Sequence, residues 1–531
     1  MSQMRFGTHA QQDPGALALV DSQERRWTRG ELASATNRMS RALRRAGLSA
    51  GDVFAIIAPN CFEYVSAYLA ATQIGLYVVP VNWHLASPEI QYILEDCGAR
   101  ALLIHKRFAS LTHKALRSMR TVPRILVATG PVEGFETIES FTADVPDAPL
   151  EDPEAGRPLS YTSATTGKPK GVVLPLADAE RVMNEAIERR LRAGVKPDTD
   201  RFLVVSMLYH GAPLDTVAMA LHMGNAVVLT ETPSPEAVLQ LIEKYQITQA
   251  SVVPTLFNRL LALSESVRSR YSLSSLRRVT HLGAPCAVDV KRRMIEWFGP
   301  ILFELYGATE GTGTAVDAKD WLKYPGTVGK PLPGSQLKIL NDEGEELPTG
   351  TAGAIYMTRW MGDRFHYLGD PEKTRASHRG EFFTVGDVGY VNEEGFLFIC
   401  DRKIDMIICS GMKIYSAEVE NVLVRHDKVV DCAVFGVPDA LMGEAVMAVV
   451  QPAPSAIADP RFRAELLRFV GRHLSATKVP RHLVLTPELP REPTGKVQKR
   501  RLREIYWNGG TAVPAPAART EERLAALAES D

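Results

Sequence analysis

Residues 161–171, YTSATTGKPKG, place four hydroxyl side chains (Thr162, Ser163, Thr165 and Thr166) ahead of Gly167, with Lys168 and Lys170 flanking a proline. Hydroxyls and backbone N–H groups donate to phosphate oxygens and lysines add point charge, so the run suits a polyphosphate. The common ATPase loop, G-x-x-x-x-G-K-[ST], does not fit. Thr162 stands where its first glycine is needed, and Pro169 follows Lys168. An exposed turn has much the same composition, so the stretch alone supports either reading.

Four further stretches carry groups suited to the same kind of ligand. In YGATEG (306–311), Thr309 offers a hydroxyl to phosphate and Glu310 a hard oxygen to Mg²⁺, or the run is a plain turn. In VGDVGY (385–390), Asp387 stands between glycines, a carboxylate suited to the paired hydroxyls of a ribose or simply a hairpin turn. DRKIDMI (401–407) carries Asp401 and Arg402, whose ordinary role is a surface ion pair. PTGKVQK (493–499) sets Lys496 on a Pro/Gly turn, where a solvated lysine is the usual case.

The elements that must position these residues are readable from periodicity. Helical spacing in 30–49 is followed by the β-branched DVFAIIAP; CFEYVSAYLAATQIG precedes LYVVPVN, and SPEIQYILEDCG precedes ALLIH. FLVVSM, AVVLT, SPEAVLQLIEKYQ, ASVVPT and RRVTHLGAP continue the alternation, which predicts an α/β fold with largely parallel sheets. After about residue 325 short strands with Asn-Asp-Glu-Gly and Asn-Glu-Glu-Gly turns predict a small β-rich, barrel-like subdomain. A smaller α+β unit is expected from 405 to 507, and 508–531 reads as a Gly/Pro/Ala linker with a weak helix.

Composition excludes several function classes. With 531 residues, 45% hydrophobic and 23% charged, the chain is an ordinary multidomain globular sequence. A formal charge of −1 supplies no overall field for DNA or RNA, so nucleic acid is not expected as a partner. The six cysteines show no C-x-x-C pair or metal-ligand spacing, the N-terminus lacks a signal core, and no run of about 18 apolar residues could span a bilayer. A cytoplasmic location is the expectation.

Taken in order, YTSATTGKPKG, YGATEG, GDVGY, DRK and PTGK resemble in type and spacing the adenylate-forming superfamily of acyl-CoA synthetases, nonribosomal adenylation domains and luciferases. The resemblance runs from TRGELASATNRMSRAL to PTGKVQKRRLRE and is nearest to bacterial acyl-CoA synthetases. It implies a large N-terminal ATP- and acid-binding domain (1–401), a hinge at 402–404 and a small mobile domain (405–507). The implied substrates are a carboxylic acid, ATP and coenzyme A, with Mg²⁺ as cofactor; a homodimer stays open.

By the same resemblance, residues 162–170, including Ala164, Gly167, Lys168 and Lys170, hold the β- and γ-phosphates, Thr309 touches the α-phosphate, and Glu310 holds Mg²⁺. Asp387 and Arg402 take the ribose. Gly283, Ala284 and Pro285 form the adenine slot with Glu304, Leu305, Tyr306 and Gly307, Tyr306 stacking on the base. Lys496 is the implied catalytic lysine of adenylation, and His210 borders the acyl pocket unless it is a satisfied core histidine. Ser410, Gly411 and Lys413 fall where the family lines its pantetheine tunnel.

Three positions depart from the family pattern: Ala164 replaces a glycine, Ile404 a polar hinge residue, and Cys409-Ser410-Gly411 the usual Ser-Gly-Gly. The pocket segments 206–213, 253–257, 281–283 and 307–313 show no Asp or Lys placed to pair with an α-amino group, which disfavours an amino-acid substrate. LYHGAP and residues 284–301 resemble synthetases acting on fatty, alicyclic, bile and steroid-side-chain acids. An acid:CoA ligase is the leading expectation. An amide-forming ligase is the second, and a non-catalytic nucleotide- or acyl-binding protein the outsider.

Overall fold

The computed structural model describes residues 5–162, 169–359, 362–410, 412–439, 441–454, 456–457, 459–491 and 497–507. Among these, four sheets and their helices form the large N-terminal part, and a fifth sheet forms a small C-terminal part. The α/β architecture anticipated from the alternating periodicity is the one observed.

Two sheets carry the parallel pattern. The nine-stranded sheet has Arg201–Val204, Gln249–Val252, Arg278–His281 and Leu302–Ala308 side by side and parallel, then closes at one edge with antiparallel Gly311–Asp317 and Lys330–Pro331. The second, six-stranded sheet is parallel throughout and centres on Val53–Ile57 and Ala101–Ile104. Strands such as AVVL and ALLI are buried at every position, as expected for sheets covered on both faces.

The main hydrophobic core lies between these sheets. Helices Arg29–Arg45, Phe62–Thr72 and Gly211–His222 contribute Leu43, Tyr64 and Leu221, all buried. Helix Arg29–Arg45 begins at a capping box in which Thr28 and Glu31 satisfy each other's backbone N–H groups.

The region after residue 330 is antiparallel, with Gly353–Met357, Asp387–Val391 and Leu397–Arg402 as its backbone. The Asn392–Gly395 turn links the last two strands, with Asn392 N–H bonded to Phe396 O at 3.0 Å. Short strands Ser160–Thr162, Lys170–Val173 and His366–Tyr367 form a separate three-stranded sheet beside it.

The small C-terminal part pairs the long strands Val429–Asp439 and Gly443–Pro452, extended by His482–Leu485 and by the hairpin Ile407–Cys409 and Met412–Ile414. Asp401, one residue before the end of its strand, accepts from the backbone N–H groups of Ser416 and Ala417 and so caps the first helix of this part, Ser416–Leu423. No helix among the described residues is long and apolar enough to cross a membrane.

Candidate active site

Thr162 ends one strand and Lys170 begins the next, and the two residues pair across the antiparallel ladder. Residues 163–168, including Ser163, Ala164, Thr165, Thr166, Gly167 and Lys168, lie outside the described residues. Lys170 forms an ion pair with Asp370. On the other side of Lys170–Val173, Tyr367 sits opposite Val172 and its hydroxyl donates to Glu310 Oε1 at 2.7 Å.

Thr309 and Glu310 are the two residues between Leu302–Ala308 and Gly311–Asp317, with Ala308 paired to Gly311. The turn is closely packed: a Cβ on Gly307 would lie 2.6 Å from Thr312 Cα, and one on Gly311 2.9 Å from Phe383 Cζ. Only glycine fits either place. Thr309 is therefore presented to the surface while Glu310 is turned inward and buried. Arg359 holds the turn by donating to Glu310 O, and is itself fixed by Asp363 at 2.8 Å, a carboxylate that Arg157 also reaches at 2.8 Å. Lys373 lies with its ammonium 4.7 Å from the Tyr367 ring centre; burial and the neighbouring Lys170 lower its pKa, opposed by Glu310 and Asp370.

A second network joins three residues from the sequence motifs. Tyr306 donates its hydroxyl to Asp387 Oδ2 at 2.7 Å, and Arg402 Nε lies 3.3 Å from Asp387 Oδ1. Asp387 and Arg402 face each other because they begin and end paired strands. Burial, with the adjacent Asp387 charge, pushes the Tyr306 hydroxyl well above its ordinary pKa and keeps it a donor.

Gly283 follows strand Arg278–His281 with φ +86, a left-handed conformation that turns the chain toward Ala284 and Pro285. These three residues line one cleft with Glu304, Leu305, Tyr306 and Gly307. The Glu304 carboxylate is paired with Lys291, whose side chain is fully buried, so Glu304 brings no net charge to the slot. His281, from a segment expected at the acid pocket, does not line the cleft. It is fully buried, with its ring 5.3 Å from Phe257 and Nε2 3.7 Å from Glu304.

His210 stands at the N-cap of helix Gly211–His222 and lines the cleft. Its ring packs edge-on against Tyr209 with centres 4.5 Å apart. Burial, with the nearby His84, pushes it down to about 4, so the imidazole is neutral at physiological pH. Its Nε2 is buried and has no hydrogen-bond partner among the described residues.

The small part contributes differently. Ser410 has φ +49 and sits at the tip of the Ile407–Ile414 hairpin, its N–H bonded to Met442 O at 2.7 Å and its hydroxyl 3.0 Å from Met442 Sδ. Lys413 lies opposite Ile408 on the same hairpin; neither Ser410 nor Lys413 lines the cleft. Gly411 and Lys496 lie outside the described residues. Arg491 and Val497 pair with each other, and both line the cleft.

One continuous cleft of about 3640 Å³ thus gathers Thr162, Thr309, Glu310, Asp387, Arg402 and His210. Tyr367, Asp370, Lys373 and Arg359 sit beside them and escaped sequence reasoning. The one local signal in that stretch is the Asp370-Pro371 helix start, with Lys373 N–H on Asp370 Oδ1 at 2.9 Å, and it speaks of a cap and not of a site.

Residues 6–359 match the AMP-binding enzyme family and residues 418–496 the AMP-binding enzyme C-terminal domain. The chain is 31% identical over 510 residues to a fatty acid–[acyl-carrier-protein] ligase, ScoC, of Streptomyces coeruleorubidus, covering 94% of this chain and 95% of that one. It is 32% identical over 508 residues to an indoleacetate–CoA ligase of Aromatoleum aromaticum, covering 94% and 96%. A 3-[(3aS,4S,7aS)-7a-methyl-1,5-dioxo-octahydro-1H-inden-4-yl]propanoyl:CoA ligase of Mycobacterium tuberculosis is 32% identical over 515 residues, covering 93% and 96%. Among solved structures, the amide bond synthetase McbA of Marinactinospora thermotolerans superposes with a TM-score of 0.81 at 28% identity, covering 95% of this chain and 100% of that one. On cleft, fold and sequence together, the chain belongs to the AMP-binding enzymes, the adenylate-forming family that includes the acyl-CoA synthetases.

Proposed function

We propose that the protein is an ATP-dependent acid:CoA ligase acting through an acyl-adenylate. In the first step an oxygen of the acid's carboxylate attacks the α-phosphorus and the bond to the β-phosphate breaks, releasing pyrophosphate. In the second, the CoA thiol loses its proton to solvent, its sulfur attacks the acyl carbon, and AMP leaves with the carboxyl–phosphate oxygen.

The first step drives an anion onto a polyanion, so it needs cationic and donor groups placed where charge accumulates. Residues 162–170 hold the β- and γ-phosphates, Thr309 donates to the α-phosphate, and Lys496 bridges the acid's oxygen and that phosphate. Asp387, oriented by Tyr306 and Arg402, accepts from the ribose hydroxyls. Glu310 suits Mg²⁺: it is a buried hard-oxygen donor oriented by Tyr367. Among the described residues no three His, Cys, Asp or Glu side chains converge as a metal cage, so phosphate oxygens and water would complete its coordination. Bound there, Mg²⁺ would offset phosphate charge. His210, neutral, borders the acid without taking its charge.

The observation that carries this reading is the meeting of Thr162, the Thr309–Glu310 turn and the Tyr306–Asp387–Arg402 network on one cleft. An apolar or bulky alicyclic acid, of the fatty, bile or steroid-side-chain kind, is the proposed substrate class; the acids named for the relatives support it. Transfer to an amine is the second reading, favoured by the Cys409–Lys413 departure and the likeness to an amide bond synthetase.

Pyrophosphate exchange with ATP over a panel of acids tests the first step, and it should depend on the acid. No exchange with any acid would sink the reading and leave a binding protein. Product masses with CoA or amines name the acceptor. Lys496→Ala should abolish exchange yet leave thioester formation from supplied acyl-adenylate largely intact; equal loss of both steps would remove the assigned role.

A further inference from the structure

The proposed adenine slot is backed by a buried ion pair. Helix Val288–Phe298 carries Lys291, whose side chain is fully buried, and strand Leu302–Ala308 carries its partner, Glu304. A lysine is almost never sealed from water unless it is paired. Here the ammonium is held by the Glu304 carboxylate and by the ring of buried Trp321, whose centre lies 4.8 Å away.

The pair is asymmetric. Glu304 Oε2 accepts from Lys291 Nζ and lies 3.7 Å from His281 Nε2, whereas Oε1 makes no hydrogen bond among the described residues. Glu304 nonetheless lines the cleft and keeps 9% of its side chain exposed, so Oε1 is the oxygen left for a ligand. Burial raises the Glu304 carboxyl toward its protonated form, and Lys291 is what opposes that. The other titratable groups acting on the pair carry no charge. Burial and Lys291 hold His281 well below its ordinary pKa, so the imidazole is neutral, and burial with Glu304 pushes the Cys286 thiol up.

We propose that Lys291 is a positioning residue for nucleotide choice. By anchoring Oε2 it holds Glu304 as a pure acceptor at the slot, where Oε1 takes the exocyclic amine of adenine and turns away a base that has a carbonyl oxygen in that place. The proposal rests on the ATP-dependent ligase reading and adds to it a residue that never touches the nucleotide. A carbonyl facing Oε1 sets two acceptors against each other with no proton between them, which is the kind of mismatch a polar site rejects. Without Lys291 the buried carboxyl takes a proton from solvent, and its O–H then suits a carbonyl as well as its C=O suits an amine.

The test compares ATP with inosine triphosphate, which has a carbonyl oxygen in place of the adenine amine, on the full chain, first by calorimetric binding and then by pyrophosphate exchange. The parent should bind ATP about tenfold more tightly or better. Lys291→Met should cut that preference to about threefold or less, by weakening ATP while inosine triphosphate binding holds or improves. Glu304→Gln combined with Lys291→Met removes both charges together, and its amide, which donates and accepts, should bind the two nucleotides within about twofold of each other. A merely structural Lys291 would weaken both nucleotides equally and leave the preference as in the parent. That result in Lys291→Met, or a parent without preference, overturns the assignment. If Lys291→Met melts too low to assay, the double variant decides alone, and a parent-like preference there overturns the assignment too. A binding preference that Lys291→Met erases, without acid-dependent exchange, would sink the ligase reading and keep the role of Lys291; acid-dependent exchange that uses both nucleotides equally would do the reverse.

Discussion

Two hairpin turns in this protein are built alike and held differently. The Thr309–Glu310 turn is flanked by Gly307 and Gly311, neither of which has room for a side chain, and its carboxylate is buried and bonded by Tyr367, with Arg359 on its backbone. The turn at Ser410 has its backbone in a left-handed conformation, and the strands beside it leave Ile408 50% and Met412 44% exposed. Its described ties run to Met442. The first turn is over-determined, as a group that must meet developing charge needs to be. The second presents apolar side chains to water, a cost that falls away only when another surface covers them. If acyl transfer in the proposed two-step reaction supplies that surface, a polar residue at 408 should weaken the second step and spare the first.

Asp387→Ala should have the largest effect, because it removes the proposed ribose acceptor and leaves the buried Tyr306 hydroxyl and Arg402 without their carboxylate. Pyrophosphate exchange should fall about a hundredfold, with a loss of about 1–3 kcal/mol in denaturant unfolding from the unpaired hydroxyl. A change in exchange below tenfold would mean that the network is structural only. Tyr367→Phe should come next. By releasing the Glu310 carboxylate it should lower exchange about tenfold, with the rise concentrated in the KM for MgATP and with melting little changed. A loss in melting without a change in KM would show that Tyr367 merely fills space.

Acid should loosen the region around the cleft through two imidazoles. Burial pushes His210 and His222 down to about 4, below the ordinary 6.5, so the unfolded chain takes up these protons first. Their share of stability is complete above pH 6.5 and is lost as the pH falls from 6.5 toward 4, at up to about 1.4 kcal/mol per pH unit for each. Denaturant unfolding across that window measures the slope, and His210→Gln should flatten it; an unchanged slope would place the titration elsewhere. Ile408→Ser should have the smallest effect on the first step. Exchange should stay within about twofold while acyl transfer from supplied adenylate falls about fivefold, the burial of one aliphatic side chain at a contact being the interaction lost. Equal loss in both steps would erase the distinction between the two turns.

Much of the fold was legible because it follows from period. DVFAIIAP, ALLIH and AVVLT read as covered parallel strands, and Phe54–Ile57, Ala101–Ile104 and Ala226–Leu229 within them are buried at every position. The Asn392–Gly395 turn was readable from its residues alone. Taken singly, each site stretch had an ordinary alternative: a turn for YTSATTGKPKG, YGATEG and VGDVGY, a surface ion pair for DRKIDMI and a solvated lysine for PTGKVQK; only their order along the chain pointed to a site. His281 shows where reading by segment fails: two residues before Gly283 on a strand end, its side chain is buried against Phe257 and does not line the cleft that Gly283 lines. Strand alternation made both placements available, and packing chose between them.

By itself the sequence determined the alternation of helix and strand, the glycines that permit tight turns, and the order of hydroxyl, acid and base groups along the chain. All of these depend on near neighbours and on intrinsic residue chemistry. Tertiary structure alone decided that Tyr306 bonds Asp387 and that Tyr367 orients Glu310. The two pairs are 81 and 57 positions apart in the chain, separations over which no local period or motif carries information. Only the stacking of strands from distant segments in one sheet, with helices laid across it, brings them within reach of one another.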